Sequence, residues 1–141
     1  MESHSSLLLP LVVLVAWTLI MWLWMYATRI PAIFRARMRL DPQAPTGQQM
    51  AELPPPVRWK ADNYNHLLEQ PLLFYALVLV LERLGDGGAL VLAMAWSYVV
   101  LRVVHSLVQS LGNRIEVRFA VFVLSNIPLF VLTAVALTKL C

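Results

Sequence analysis

The chain has 141 residues, of which 60% are hydrophobic and 13% are charged, and its formal net charge is +3. Soluble domains carry about 25% charged residues, so this composition excludes an ordinary water-soluble fold and indicates that lipid surrounds most of the chain. The only cysteine, Cys141, excludes an internal disulfide and does not form a prenylation motif. We therefore expect one integral membrane domain with room for four spans of roughly 20 residues each.

Four long apolar segments predict an all-α fold, an antiparallel up-and-down four-helix bundle that forms a single transmembrane domain. The segments cover about 7–34, 59–84, 89–111 and 114–140. Glycine, aspartate and asparagine cluster at 85–88 and at 112–113. This chemistry predicts two tight turns, which would join the last three spans.

A long polar loop over 35–58 joins the first two spans. It is rich in arginine and proline, and we expect one short helical turn within it, near 48–53. Consecutive prolines favour the extended polyproline conformation. The three prolines at 54–56 therefore predict a stiff, extended connection into the second span.

Basic residues lie mostly at one end of the predicted bundle. Seven are in or next to the first and third loops: Arg29, Arg35, Arg37, Arg39, Arg58, Lys60 and Arg114. The opposite end has only Arg83 and Lys139. The positive-inside rule then predicts cytoplasmic first and third loops with both termini outside. Since the sequence carries no retention signal and its termini are short, we expect a bacterial inner membrane. The basic excess is thus explained by topology, and no nucleic-acid partner is expected.

Polar and ionisable side chains interrupt three of the four spans. Each ionisable group costs about 2.5–3.5 kcal/mol on insertion scales, so such residues persist where they face the bundle interior. They recur at helical spacing, as Asp62, Asn65, His66 and Glu69, then Tyr98, Arg102, His105 and Gln109, then Arg114 and Arg118. At a rise of about 1.5 Å per residue, Glu69, Arg102, His105 and Arg118 all fall in the half of the membrane nearest the first and third loops. This convergence predicts a polar cavity that opens to the cytoplasm.

Structural roles are the alternative for several of these residues. Glu69 and Arg102 could form a buried ion pair that fixes helix register, and His105 could bond a neighbouring helix. Arg114 could extend its charge to the lipid head groups. Arg118 is harder to explain in this way, because it lies inside the fourth span without an acidic residue on its own face.

Four stretches in and between the last three spans form a recognisable pattern: 65–74 (NHLLEQPLLF), 102–105 (RVVH), 112–114 (GNR) and 118–119 (RF). Together they resemble the MAPEG family, the membrane-associated proteins in eicosanoid and glutathione metabolism. The resemblance covers nearly the whole chain. It implies a homotrimer in which glutathione binds in a U shape between neighbouring subunits, on the cytoplasmic side.

The resemblance also implies roles for particular residues. Glu69 would contact the peptide amine of glutathione, Arg102 and His105 would line the pocket, and Arg118 would stabilise the thiolate as the catalytic residue. The other residues that it assigns to glutathione binding are Asn65, His66, Gln109 and Arg114. No metal site is expected.

This chain departs from the family pattern at several of these positions. Asn65 replaces an arginine, His66 an asparagine and Gln109 a tyrosine, while Phe119 and Phe122 replace a serine and a tyrosine near the catalytic arginine. Several anion-binding and hydroxyl groups are therefore missing. We do not expect the prostaglandin isomerase activity of some members.

Two functions follow from the resemblance. The first is a glutathione-dependent transferase or peroxidase that acts on lipophilic electrophiles, with glutathione as co-substrate. The alternative is a non-catalytic protein of the same fold that binds lipids or serves as a scaffold. An ion or proton pathway is least favoured, because the polar residues occupy only one half of the membrane.

Overall fold

Helices account for most of the computed structural model, which describes residues 5–141. The α-helices are α1 (Ser5–Arg35), α2 (Pro55–Glu69), α3 (Pro71–Arg83), α4 (Ala89–Leu111) and α5 (Ile115–Leu140). The described chain contains no β-strand. Because α2 and α3 together form one span, this part of the chain has four helical segments long and apolar enough to cross a membrane. The predicted all-α four-helix fold is confirmed.

Pro71 divides the second span, which the sequence predicts as one helix. Proline lacks the N–H that would continue the helical ladder, and its ring crowds the preceding turn. Gln70 keeps a helical conformation (φ −65°, ψ −37°), and the N–H of Leu73 donates to its carbonyl at 2.9 Å. The side chain of Gln70, which lies at this break, donates to Asn126 of α5 at 2.5 Å.

The three consecutive prolines do not form the extended connection that the sequence predicts. Only Pro54 is extended (φ −54°, ψ 145°), and α2 begins at Pro55. Proline is favoured in the first helical turn because its φ is already helical and its missing N–H would have no partner there. The prediction is therefore wrong for Pro55 and Pro56.

The loop between α1 and α2 is held by its own hydrogen bonds. The side chain of Gln49 accepts from the N–H of Asp41 at 2.9 Å and donates to the carbonyl of Arg39 at 2.7 Å. Leu53 is buried and anchors the end of the loop. A single turn of 3-10 helix at Met50–Glu52 lies within the predicted short helical turn. The loop is thus a folded cap over this end of the bundle.

Asn113 closes the end of α4 and sets the direction of α5. It adopts the left-handed conformation (φ 47°), which asparagine tolerates better than most residues. Its N–H donates to the carbonyl of Val108 at 2.7 Å, and the N–H of Gly112 donates to the same carbonyl at 3.2 Å. This turn brings the start of α5 back beside α4.

The core lies where α4 meets the other helices. Tyr98 of α4 stacks on Phe74 of α3, with ring centroids 4.6 Å apart, and both side chains are fully buried. Other buried members of this cluster are Leu7, Leu14, Val78, Leu81, Ala95 and Leu132. The apolar half of α4 therefore packs in the core, and its polar half continues the same buried face.

A buried hydrogen bond connects α2 to α4 within the membrane. Asn63 donates to the hydroxyl of Ser106 at 2.6 Å, and both residues are completely buried. Neither belongs to the polar set that the sequence singles out. Because the bilayer core contains no water, these two polar groups must find hydrogen-bond partners within the protein, and this bond supplies one to each.

We predict that Ser106→Ala destabilises the protein by about 0.6–1.7 kcal/mol, the range found for hydrogen bonds between membrane helices. The amide of Asn63 would lose its partner in an apolar environment. Unfolding in detergent micelles measures the change. Ser97→Ala is the matched control, because that hydroxyl bonds only the Ala93 carbonyl of its own helix. Equal effects of the two substitutions would contradict the prediction.

Candidate functional site

The polar residues predicted on the third span all point into the bundle. Tyr98, Arg102, His105 and Gln109 are at most 4% exposed. Their spacing of three or four residues keeps them on one face of α4. Burial of a guanidinium and an imidazole in a membrane helix is costly, so these groups require polar partners from other helices.

Arg102 finds such a partner on α2. Its Nη2 lies 2.8 Å from Nδ1 of His66. Because a guanidinium is always a donor, Nδ1 of His66 is the acceptor, and a neutral ring then has its proton on Nε2. The Arg102 guanidinium also lies over the ring of Phe122 in α5, at 5.8 Å from its centroid. One cation therefore contacts groups of two other helices.

Arg102 does not form the ion pair with Glu69 that the sequence offers as an alternative. Within residues 5–141 the only ion pair joins Lys139 to Asp86, at the other end of the bundle. The Glu69 side chain is exposed on the outside of the chain, while His66 occupies the inner position. Two buried nitrogens of Arg102, Nε and Nη1, have no hydrogen-bond partner among residues 5–141.

His66 and His105 form an aromatic cluster with Phe122. The two imidazole centroids are 5.0 Å apart, and Phe122 lies 5.3 Å from His66 in an edge-on contact. Phe122 lies 6.1 Å from His105. The sequence analysis identifies Phe122 only as a replaced tyrosine. In the structure it packs against both histidines.

Arg118 extends from α5 towards this cluster. Its Nη1 donates to Oδ1 of Asn113 at 2.6 Å. The side chain that closes α4 thus also holds the guanidinium of α5. The sequence identifies Asn113 only as a turn residue. It does not predict the contact with Arg118, because side chains that meet along a helix are three or four residues apart and these two are five apart.

A small cavity of about 210 Å³ separates these groups. Its lining residues are His66, His105, Ile115, Arg118, Phe119 and Phe122. Arg102 lies behind His66 and is not part of the lining. One guanidinium and two imidazoles supply hydrogen-bond donors, and two phenylalanines form an apolar part of the wall. Such a site favours an anion, because charge-assisted hydrogen bonds are stronger than neutral ones.

Other residues that the resemblance assigns to the site lie elsewhere. Asn65 and Arg114 are exposed on the outside of the chain, as is Glu69. Asn65 lines a different cavity, next to the first loop. Gln109 is buried, and its Oε1 has no hydrogen-bond partner in the described part of the chain. A single chain therefore brings together His66, His105 and Arg118, but not the whole expected set.

An apolar cleft of about 410 Å³ lies between α3 and α5. Its polar end is the pair Gln70 and Asn126, and its walls include Leu77, Leu129 and Phe130. Gln70 is one turn after His66, and Asn126 is one turn after Phe122. The cavity and the cleft therefore follow each other along the same pair of helical segments, with the amide pair between them.

These features define an integral membrane helical bundle with a cationic cavity among its spans. The model of the MAPEG family matches residues 7–138, nearly the whole chain. The chain therefore belongs to the MAPEG family. Searches of curated proteins and of solved structures each gave no match.

We predict that Asn113 and Arg118 are energetically coupled. In Asn113→Gly the backbone keeps its positive φ without strain, so the substitution removes only the contact with Arg118. Its effect on unfolding free energy should be non-additive with that of Arg118→Met by about 0.5–3 kcal/mol. Unfolding of the two single variants and the double variant measures the coupling.

Asn113→Ala provides the comparison for this cycle. Alanine loses the same contact and adds the cost of a left-handed backbone, about 1–2 kcal/mol, so this variant should be the less stable of the two. Additive effects of Asn113→Gly and Arg118→Met would mean that the hydrogen bond contributes nothing.

Proposed function

We propose that the protein is a glutathione-dependent transferase or peroxidase that acts on lipophilic electrophiles within the membrane. The observation that carries this proposal is the cavity in which Arg118 meets His66 and His105. A free thiol has a pKa of about 8.5, and a neighbouring guanidinium favours its thiolate, which is the nucleophile. Family membership supports a glutathione-related activity in general terms.

Arg118 would stabilise the thiolate, and Asn113 would hold Arg118 in position. In the transferase reaction the sulfur forms a bond to an electrophilic carbon, and the proton released from the thiol goes to the product or to the leaving group. In the peroxidase reaction a hydroperoxide is reduced to an alcohol and water, while two glutathione molecules are oxidised to the disulfide. His105 and His66 line the cavity and would donate hydrogen bonds to glutathione.

The size of the cavity supports binding between subunits. Small-molecule sites usually enclose about 300–1,000 Å³, and a cavity of about 210 Å³ holds only part of a tripeptide. A neighbouring chain would complete the site. We therefore propose a homotrimer, as the family resemblance implies, with glutathione between neighbouring subunits.

Exposed polar residues on α2 also support assembly. Asn65 and Glu69 face outward from the single chain, within a span. Contact with lipid would be costly for these groups, and a second subunit would cover them. In this arrangement Glu69 would contact the peptide amine of glutathione, and Asn65 would lie nearby.

The remaining assigned residues have supporting roles in the proposal. Arg102 contacts Nδ1 of His66 and would hold this imidazole in place for glutathione. Its Nε and Nη1, which have no partner among residues 5–141, would be available to bind glutathione directly. Gln109 has a free carbonyl oxygen that would accept a hydrogen bond. Arg114, exposed at the start of α5, would attract a glutathione carboxylate.

A non-catalytic lipid-binding protein is the second candidate. The apolar cleft between α3 and α5 favours it, because such a cleft accepts an acyl chain whether or not chemistry follows. Phe119 and Phe122 also favour it, since the cavity lacks the hydroxyl groups that the family pattern carries there. The two candidates differ in whether glutathione binds.

The proposed orientation follows the distribution of positive charge. The first and third loops would face the cytoplasm, where glutathione is available to the cavity. Both termini would then lie outside, and a bacterial inner membrane is the proposed location.

We predict that purified protein binds glutathione at millimolar concentration and that Arg118→Ala reduces the bound thiolate about tenfold or more. The expected loss corresponds to a hydrogen bond to a charged group, about 1.5–3 kcal/mol. Ultraviolet absorbance reports the thiolate, and calorimetry reports binding. Arg83→Ala, exposed at the far end of α3, is the control and should behave as the unchanged protein.

Size-exclusion chromatography of the same variants separates chemistry from assembly. Arg118→Ala should keep the oligomeric state of the unchanged protein. If no glutathione binds to the unchanged protein, the enzyme proposal fails and lipid binding becomes the better candidate. Dissociation of the oligomer by Arg118→Ala would assign a structural role to this arginine.

We also predict that Leu77→Trp obstructs the apolar cleft. The KM for long-chain electrophiles should rise about tenfold, while that for small electrophiles should stay unchanged, because only long substrates would need this space. Leu79→Trp is the matched control, since Leu79 is 55% exposed and lies outside the cleft. An equal effect on both substrate classes would separate the cleft from substrate binding.

A further inference from the structure

A second polar cavity, of about 410 Å³, lies at the loop end of the bundle. It is formed by the end of α1, the folded loop and the start of α2, and it shares no lining residue with the Arg118 cavity. Its polar lining residues are Arg29, Thr46, Arg58, Asp62 and Asn65. The loop segment over it is fixed by the two hydrogen bonds of Gln49. The cavity is therefore a formed feature of the fold.

The charged side chains that line this cavity do not form ion pairs with one another. Arg29 and Arg58 are both half-buried, and neither guanidinium has a carboxylate within 4.0 Å among residues 5–141. The Nε of Arg58 is fully buried and has no hydrogen-bond partner among the described residues. Asp62 lines the same cavity. The lining thus offers two guanidinium groups for an anion and, separately, one carboxylate for a cation.

The cavity lies at the level expected for lipid head groups. Lys60, two residues after Arg58, places its Nζ 4.9 Å from the ring centroid of Trp24, and it also donates to the carbonyl of Pro56 at 3.0 Å. Tryptophan and lysine are enriched where a membrane helix leaves the hydrocarbon. A ligand at this level is more readily a membrane lipid than a molecule from the bilayer centre.

We propose that this cavity binds the head group of a phospholipid that carries a primary amine. Arg29 and Arg58 hold the phosphate, since guanidinium groups match the geometry of phosphate oxygens. Asp62 accepts hydrogen bonds from the ammonium group of the same head group. Thr46 adds a neutral hydrogen-bonding group at the rim. The proposal does not depend on glutathione chemistry at Arg118.

The pairing of charges predicts a particular order of preference among lipids. Phosphatidylethanolamine satisfies both the arginines and Asp62. Phosphatidylglycerol carries the phosphate without an ammonium group, and phosphatidylcholine carries a quaternary ammonium that cannot donate a hydrogen bond. Phosphatidylethanolamine should therefore bind more tightly than either of the others.

Native mass spectrometry of the detergent-purified protein, titrated with these three lipids, tests the proposal. Arg29→Gln and Arg58→Gln should weaken the binding of phosphatidylethanolamine about tenfold or more. Asp62→Asn should keep the binding of phosphatidylglycerol and abolish the preference for phosphatidylethanolamine over it. Arg83→Gln, at the opposite end of the bundle, controls for general loss of positive charge. Thermal unfolding of each variant confirms that it is folded.

Several results would overturn the proposal. Equal binding of the three lipids by the unchanged protein would remove the role of Asp62, and unchanged binding in both arginine variants would remove the phosphate site. Soluble phosphorylethanolamine that binds as tightly as the lipid would identify a free metabolite as the ligand. Displacement of the lipid by glutathione would make this cavity a part of the glutathione site instead.

Discussion

The buried charge of Arg102 is the constraint on which the arrangement of the spans depends. A guanidinium cannot lose its proton in a protein, so it must meet polar or aromatic groups wherever the helix places it. Here it meets Nδ1 of His66 and the ring of Phe122. These contacts fix the rotation of α2 and α5 relative to α4. His105 and Arg118 then face the same small cavity as His66.

The break in the second span at Pro71 is the second feature that shapes the arrangement of the polar groups. Pro71 removes one link of the second span, and Gln70 at that point reaches Asn126 of α5. Its Oε1 also lies 3.4 Å from the hydroxyl of Tyr98. The pair Gln70 and Asn126 therefore lies between the cationic cavity around Arg118 and the apolar cleft between α3 and α5. A reaction between a polar thiol and a lipophilic partner needs both kinds of environment side by side.

Much of the fold could be predicted from the sequence, because the bilayer imposes simple demands. Only long apolar helices satisfy their backbone within lipid, so hydropathy alone locates the four spans. The buried stripe from Tyr98 to Gln109 follows from helical spacing, since isolated polar residues on an apolar helix turn inward. Consecutive prolines are compatible with both an extended segment and a first helical turn, so the sequence does not decide the conformation of residues 54–56. Proline within a span either bends or divides a helix, and the structure shows that Pro71 divides the second span.

The sequence by itself determined that this is a four-span membrane protein of the MAPEG family with ionisable groups inside its spans. Only the tertiary structure decided which of those groups meet. Asp62, Asn65, His66 and Glu69 occupy an arc of about 100° on α2, and such an arc is wide enough to cross the boundary between the interior and the surface. Packing against α4 and α5 placed His66 inside with Arg102 and left Glu69 outside. Arg102 therefore contacts His66 and not Glu69, the partner of the alternative ion pair. Pairing across helices depends on their relative rotation, which the spacing of residues along one helix does not determine.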